Sequence, residues 1–188
     1  MKLYCYSHED FNNLMNDLKL YEAPINGISV ISITSAIDVN PNHWFKESEN
    51  VINLDFNDIS PEMWWNRDYY DKTFSMWCEH KDCVDFFNYN HDNINLHAMN
   101  WDEAERLVKF IDKRIKAGDD IYVHCSAGAS RSQAVVRYIL DTYYDMNFET
   151  RKSNPCITPN WHVVRMLKRI YNNFYYKNDT DTIIYGMC

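Results

Sequence analysis

The sequence lacks the features that define several specialised classes of protein. No apolar run approaches the roughly 20 residues that a membrane-spanning helix needs, and the first residues, MKLYCYSHEDF, contain no apolar signal core. We therefore expect a protein that stays in the cytoplasm and does not bind membranes. Acidic residues outnumber basic ones, 27 to 19, which gives a formal net charge of −8. This charge argues against nucleic-acid binding, which needs basic patches.

Glycine is also scarce, so the position of each glycine is informative about the backbone. The four glycines are Gly27, Gly118, Gly128 and Gly186. We expect each of them where the backbone requires a conformation that other residues avoid. Asn and Tyr, in contrast, are abundant and have AT-rich codons. This composition is typical of an AT-rich genome, such as that of a phage or a low-GC bacterium.

The length and composition fit one ordinary globular domain. The chain has 188 residues, of which 46% are hydrophobic and 24% charged. A domain of this length buries about 70% of its unfolded surface, so it needs no disulfides to fold. We therefore expect the six cysteines to be reduced thiols in a cytosol. They are Cys5, Cys78, Cys83, Cys125, Cys156 and Cys188.

Hydrophobic periodicity divides the chain into alternating helices and strands. Asn100 and Glu103 have the spacing of a capping box, and Gly118 is placed to end the helix that they start. The predicted helices cover 8–20, 101–117, a stretch after residue 130 and a stretch from Asn160, and the predicted strands cover 28–34, 51–57 and 121–123. This alternation predicts an α/β fold with a central, mainly parallel sheet flanked by helices.

Residues 60–98 interrupt this pattern. They are rich in Trp, Tyr and Phe, which is too aromatic for a disordered linker. We expect a packed helix or hairpin excursion, inserted into a single domain that spans residues 1–188. Cys78, His80 and Cys83 lie in this segment but lack a second ligand pair at zinc spacing. We interpret the two cysteines as half-buried thiols and predict no metal site.

The segment with the clearest chemical meaning joins a short apolar strand to an amphipathic helix. His124 and Cys125 end the strand, five residues follow, and Arg131 and Ser132 open the helix. A tight loop at a helix N-terminus turns its backbone N–H groups toward one point and so binds a phosphate dianion. The residues expected to bind phosphate are Ser126, Ala127, Gly128, Ala129, Ser130 and Arg131.

The reactive and polar side chains of this segment have separate expected roles. Arg131 can grip two phosphate oxygens side by side. The amides and helix dipole that bind phosphate also stabilise a thiolate, so Cys125 is the expected nucleophile. His124 and Ser132 are expected to hold the loop through hydrogen bonds. Ser132 can also donate to the sulfur when it becomes a leaving group.

The stretch HCSAGASRS, from His124 to Ser132, resembles the signature of the cysteine-dependent protein tyrosine and dual-specificity phosphatases. The stretch VINLDFND, which ends at Asp58, resembles the strand that leads into the general-acid loop of that family. Pro159 and Asn160 resemble the start of the C-terminal helix in its small bacterial and phage members. The resemblance implies a phosphatase-like fold and a phosphocysteine intermediate, with no metal or cofactor.

Two aspartates compete for the role of general acid. Asp58 follows an alternating strand and matches the family pattern, but it requires residues 60–98 to be an insertion. Asp92 lies nearer to Cys125, as in compact dual-specificity members, but its surroundings are too polar for a central strand. We favour Asp58 and keep Asp92 as the alternative.

The resemblance leaves the substrate open. A phosphorylated protein, carrying phosphotyrosine, phosphoserine or phosphothreonine, is the expected partner. The same type of loop acts on nucleotides, RNA 5′ ends or phosphoinositides in related families, and it can also bind phosphate without turnover. An intact Cys125, Arg131 and candidate acid favour an enzyme over a binding module. The sequence does not predict the oligomeric state.

Overall fold

The structure is a computed structural model that describes residues 1–59, 88–91, 94–152 and 158–176. Its strands are β1 (Lys2–Ser7), β2 (Ile28–Thr34), β3 (Val51–Asp55), β4 (Asn88–His91), β5 (Ile94–His97), β6 (Asp120–Cys125) and β7 (Glu149–Lys152). Its helices are α1 (His8–Asp17), α2 (Trp101–Ala117), α3 (Arg131–Thr142) and α4 (Trp161–Tyr175). No helix in these ranges is long and apolar enough to cross a membrane.

Five strands form the central sheet, in the order β3-β2-β6-β1-β7. All neighbouring strands in this sheet are parallel. The prediction of an α/β fold with a mainly parallel central sheet flanked by helices is therefore confirmed. In a parallel sheet the carboxyl ends of all strands meet at one edge, where ligands bind in open α/β folds. The loop after β6 starts at this edge, near its centre.

Alternate residues of the strands supply the cores on the two faces of the sheet. Ile31 and Ile33 of β2 belong to the larger core, which also contains the apolar stripes of α2, α3 and α4. Ile28 and Val30, which alternate with them along β2, belong to the smaller core, where they join Phe11 and Met15 of α1. The sheet is thus covered by helices on both faces, as parallel sheets generally are.

The caps predicted for α2 are present. The Asn100 side chain accepts a hydrogen bond from the Glu103 amide, and the Glu103 carboxylate accepts one from the Asn100 amide. Gly118 ends the helix in the left-handed conformation, with φ at +77°. The predicted helix thus has the bounds that its capping residues indicate.

Two strands of the sheet were not predicted. β1 is short and contains two tyrosines whose rings stack with Tyr122, the closest at 4.2 Å, so it lacks an apolar pattern. β7 has the sequence ETRK and is exposed along its whole length at the sheet edge. Charged, short edge strands carry no hydrophobic signal. Two predicted elements are shorter than expected: α1 ends at Asp17 and β3 at Asp55.

Within the predicted excursion, β4 and β5 pair as an antiparallel hairpin. The hairpin is joined to the end of β3, because the Asn57 amide donates to the His97 carbonyl over 2.8 Å.

Asp92, Cys78, His80 and Cys83 lie outside the described residues. The single domain with an insertion at 60–98 therefore stays a prediction. Among the described residues, no group of three His, Cys, Asp or Glu side chains is arranged to hold a metal ion.

Candidate active site

The loop from Ser126 to Ser130 lies at the carboxyl edge of the sheet. Cys125 is the last residue of β6, and its side chain is buried with 2% exposed. Arg131 is the first residue of α3 and is also buried, with 4% exposed. The structure therefore places these two residues at the start and end of a strand–loop–helix turn, as the sequence predicts.

The carbonyl groups of the loop point outward to the surrounding protein. The Gly128 carbonyl accepts from the Gln133 side chain over 3.0 Å, and the Ala129 carbonyl accepts from the Thr158 amide over 3.3 Å. The Ser130 carbonyl accepts from the Ala134 amide over 2.9 Å. In a trans peptide the N–H points away from the C=O, and the described chain has no cis peptide. The amides that follow these carbonyls therefore point into the loop, an arrangement that can bind an anion.

Gly128 is required at the turn of this loop for two reasons. Its φ is +67°, a conformation that other residues rarely adopt. A Cβ at this position would also lie 2.6 Å from the Ser7 amide nitrogen and 2.7 Å from the Tyr6 carbonyl carbon. The loop is thus packed directly against the junction between β1 and α1. The His8 amide completes this contact by donating to the Ser126 carbonyl over 3.1 Å.

The Cys125 sulfur is 3.1 Å from the Ser132 hydroxyl oxygen. On its other side this oxygen accepts a hydrogen bond from the Cys5 thiol over 3.3 Å. Burial raises the pKa of Cys5 to about 12, so its thiol keeps its proton at neutral pH. Because Cys5 donates to the Ser132 oxygen, the Ser132 proton is directed to the Cys125 sulfur. The sequence indicated Ser132 but missed Cys5, which lies on the unpredicted strand β1.

The Arg131 guanidinium is fixed from two sides. One terminal nitrogen donates to the Phe56 carbonyl over 3.0 Å. The other contacts both carboxylate oxygens of Asp38, at 2.9 Å and 3.1 Å. Its Nε is buried and has no hydrogen-bond partner among the described residues, so this donor is available to a phosphate oxygen. The sequence did not indicate Asp38, which belongs to the loop after β2 and has no motif around it.

Asp58 lies beside the loop. Its Oδ1 accepts hydrogen bonds from the Ser130 hydroxyl over 2.8 Å and from the Asn160 side chain over 2.9 Å. The same Asn160 amide nitrogen donates to the Ile59 carbonyl over 3.1 Å. The Asn160 oxygen caps α4 by accepting from the Val163 amide over 3.2 Å. Asn160 therefore connects the start of α4 to the segment that carries Asp58.

The structure corrects the expectation for His124. We expected its ring to hold the loop through hydrogen bonds, but neither ring nitrogen has a hydrogen-bond partner in the part of the chain that the structure describes. The ring is fully buried, stacks on Phe11 at 4.2 Å and meets the edge of His8 at 5.4 Å. Burial lowers the pKa of His124 far below its usual value, helped by nearby His8, His43 and Arg131. The ring is therefore neutral and supports the loop by packing.

A comparison with known families agrees with this geometry. The family model described as "Dual specificity phosphatase, catalytic domain" matches residues 22–173, which is most of the chain. The match includes Asp58, the loop after β6 and Asn160. The chain belongs to the dual specificity phosphatase family. It is therefore a phosphatase of the cysteine-based type, a hydrolase. A search of curated proteins finds no match to this sequence.

The packing at Gly128 yields a prediction about the phosphatase loop. Gly128→Ala should lower the free energy of unfolding and weaken inhibition by orthovanadate, because the added Cβ pushes the loop away from β1. Gly27→Ala is the matched control, since Gly27 also has a positive φ, +82°, but nothing within 4 Å of its Cβ position. The control should cost about 1 kcal/mol from backbone strain alone. Denaturant unfolding and vanadate titration measure both effects. Equal values for the two variants would contradict the packing argument.

Proposed function

We propose that this phosphatase hydrolyses phosphomonoesters on tyrosine, serine or threonine residues of proteins, through a phosphocysteine intermediate. The arrangement of four side chains around one loop supports this proposal most. Cys125 lies at the base of the loop, Arg131 is held with a free Nε, Ser132 contacts the sulfur, and Asp58 is hydrogen-bonded to Ser130. This arrangement supports a nucleophile, a phosphate clamp and an acid that act on one bound phosphate.

In the first step, the Cys125 thiolate attacks phosphorus. The S–P bond forms while the bond from phosphorus to the substrate oxygen breaks. Arg131 and the loop amides hold the phosphoryl oxygens on which charge develops. Asp58, in its protonated form, gives its proton to the departing substrate oxygen.

In the second step, a water molecule attacks the phosphocysteine. Asp58, now a carboxylate, takes a proton from this water, and the P–S bond breaks with its electron pair moving to sulfur. The hydrogen bond from Ser132 stabilises the thiolate as it leaves. Cys5, through its donation to the Ser132 oxygen, is a positioning residue for this hydrogen bond. No step in this sequence uses a metal ion.

Charge around the site supports a protein substrate over RNA. Arg131 is paired with Asp38, and Asp55 and Asp58 follow on the neighbouring β3 segment. Such acidic surroundings repel the further phosphates of an RNA chain.

Cys5 and Cys125, which are free thiols, fit the reducing cytoplasm that we propose as the site of action. The abundance of Asn and Tyr, whose codons are AT-rich, fits a phage or low-GC bacterial source.

The nucleophile is tested by Cys125→Ser, which should abolish turnover of a phosphopeptide while keeping vanadate binding. A serine hydroxyl stays protonated at neutral pH and has no base beside it. Arg131→Lys should also lose most activity, because an ammonium group cannot replace the planar guanidinium. Steady-state assays with phosphopeptides, nucleotides, a 5′-phosphorylated RNA and a phosphoinositide measure turnover and substrate class. Activity of Cys125→Ser above a few per cent of the wild type would overturn the mechanism.

The general acid is tested by Asp58→Asn. This variant should lower kcat for a phosphopeptide by about 10²–10⁴-fold, with little change in KM. The loss should be smaller for para-nitrophenyl phosphate, whose leaving group needs no proton. Asp92→Asn is the control and should leave both activities nearly unchanged. If it alone lowers kcat for the phosphopeptide, Asp92 is the acid and our alignment of β3 is wrong.

Asn160 should position this acid, and two substitutions separate that role from helix capping. Asn160→Ser keeps a side-chain oxygen that caps α4 but is too short to hold Asp58. Asn160→Ala loses both functions. Both variants should lower kcat for a phosphopeptide about 10-fold, with a smaller loss for para-nitrophenyl phosphate. Only Asn160→Ala should lower the free energy of unfolding, by about 1 kcal/mol. A normal kcat in Asn160→Ser would exclude the positioning role.

A further inference from the structure

A cavity of about 210 Å³ lies at the carboxyl ends of β2 and β3. It occupies the same sheet edge as the loop after β6. The residues that line it are Ser35, Ala36, Pro41, Asp55, Asn57 and His97. The catalytic steps described above use none of these side chains.

Two buried polar groups of the lining residues have no hydrogen-bond partner within residues 1–59, 88–91, 94–152 and 158–176. They are the Asn57 Nδ2 and the Ser35 hydroxyl, and both residues are only 3% exposed. The orientation of the Asn57 amide is fixed, because its oxygen accepts from the His97 backbone amide over 2.8 Å. Nδ2 is therefore a donor that lacks an acceptor. Native proteins rarely leave such groups unpaired, so two of them on residues that line one cavity point to a ligand.

The remaining polar groups limit what this ligand can be. The Asp55 side chain is 68% exposed, and its Oδ1 accepts from Thr34 over 2.7 Å and lies 3.2 Å from the His43 Nε2. The His97 ring is engaged by Glu103, whose hydrogen bond and charge raise the pKa of His97. An anion would be repelled by Asp55, and a cation would leave the Asn57 donor unpaired. A neutral amide satisfies both the unpaired donors and the carboxylate. Its carbonyl oxygen can accept from Asn57 and Ser35, and its N–H can donate to Asp55.

The cavity lies beside the phosphate site. The Phe56 carbonyl, which holds Arg131, belongs to the residue between Asp55 and Asn57. Asp38, the other partner of Arg131, follows Ser35 and Ala36 in the same loop. A substrate whose phosphate contacts Arg131 therefore has its neighbouring groups next to the cavity.

We propose that this cavity is a substrate subsite that binds a neutral amide group next to the phosphorylated residue of a protein. The proposal rests on the function proposed above. It explains why Asn57 and Ser35 are kept polar at a buried position. It also gives the enzyme a contact that a small aryl phosphate cannot make.

The test compares kcat/KM for a phosphopeptide with kcat/KM for para-nitrophenyl phosphate. Ser35→Ala and Asn57→Asp should each lower this ratio about 3- to 10-fold, the effect of one lost neutral hydrogen bond. Asn57→Asp keeps an oxygen that can accept from the His97 amide, but it replaces the Nδ2 donor with an acceptor and adds a negative charge, so the uncharged Ser35→Ala must show the same change in the ratio. Ser35→Ala loses no hydrogen bond, so its melting temperature should not fall.

Ser29→Ala is the matched control, in the strand that leads to Ser35. Ser29 is fully buried and donates to Asp119 over 2.6 Å, at the other end of β2. This variant should lose stability but keep the ratio of the two kcat/KM values. An unchanged ratio in both Ser35→Ala and Asn57→Asp overturns the subsite. Failure of the wild type to hydrolyse para-nitrophenyl phosphate would instead overturn the proposed function.

Modified phosphopeptides distinguish the two sources of an amide. Replacing a peptide bond next to the phosphoresidue with an ester removes a backbone N–H. Replacing a flanking Gln or Asn with Leu removes a side-chain amide. One of these changes should lower kcat/KM for the wild type about 3- to 10-fold, and the same change should have little effect in Asn57→Asp. If the wild type is insensitive to both changes, the cavity does not bind an amide of the substrate.

Discussion

The close approach of the loop after β6 to the junction between β1 and α1 is the constraint on which the rest of the site depends. Gly128 leaves no room for a side chain against Ser7 and Tyr6. This contact sets the curvature of the loop, and the outward hydrogen bonds of its carbonyls direct the amides inward. It also brings Cys5 of β1 to Ser132 and so orients the hydroxyl next to the nucleophile. Strand β1 thus acts on the chemistry without touching the phosphate.

The charged groups of the site are held by different segments. Asp38 and the Phe56 carbonyl fix Arg131 from the ends of β2 and β3. Asn160 and Ser130 hold Asp58 from the start of α4 and from the loop itself. Fixing these groups before the substrate binds reduces the reorganisation that the reaction needs. The proposed amide subsite lies at the same ends of β2 and β3. The segments that orient Arg131 therefore also carry the groups proposed to bind the substrate.

The sequence predicted the parts of the fold that have periodic or capping signals. Helix α2 carries a capping box and a terminal glycine, and its predicted bounds agree with the structure. β1 and β7 could not be predicted, since one carries stacked tyrosines and the other only exposed polar residues. In the site, Cys125, Arg131 and Asp58 have local motifs. Asp38 and Cys5 do not, because their positions depend on contacts between segments that are distant in the sequence.

The central claim is that Cys125 carries the phosphoryl group during turnover. The most direct measurement is rapid acid quench of the enzyme with a phosphopeptide, followed by mass spectrometry of the fragment that contains Cys125. We predict a transient phosphate on Cys125 that forms before free phosphate appears and is absent in Cys125→Ser. Release of free phosphate in the first turnover with no phosphorylated Cys125, or with the phosphate on another residue, would contradict this account.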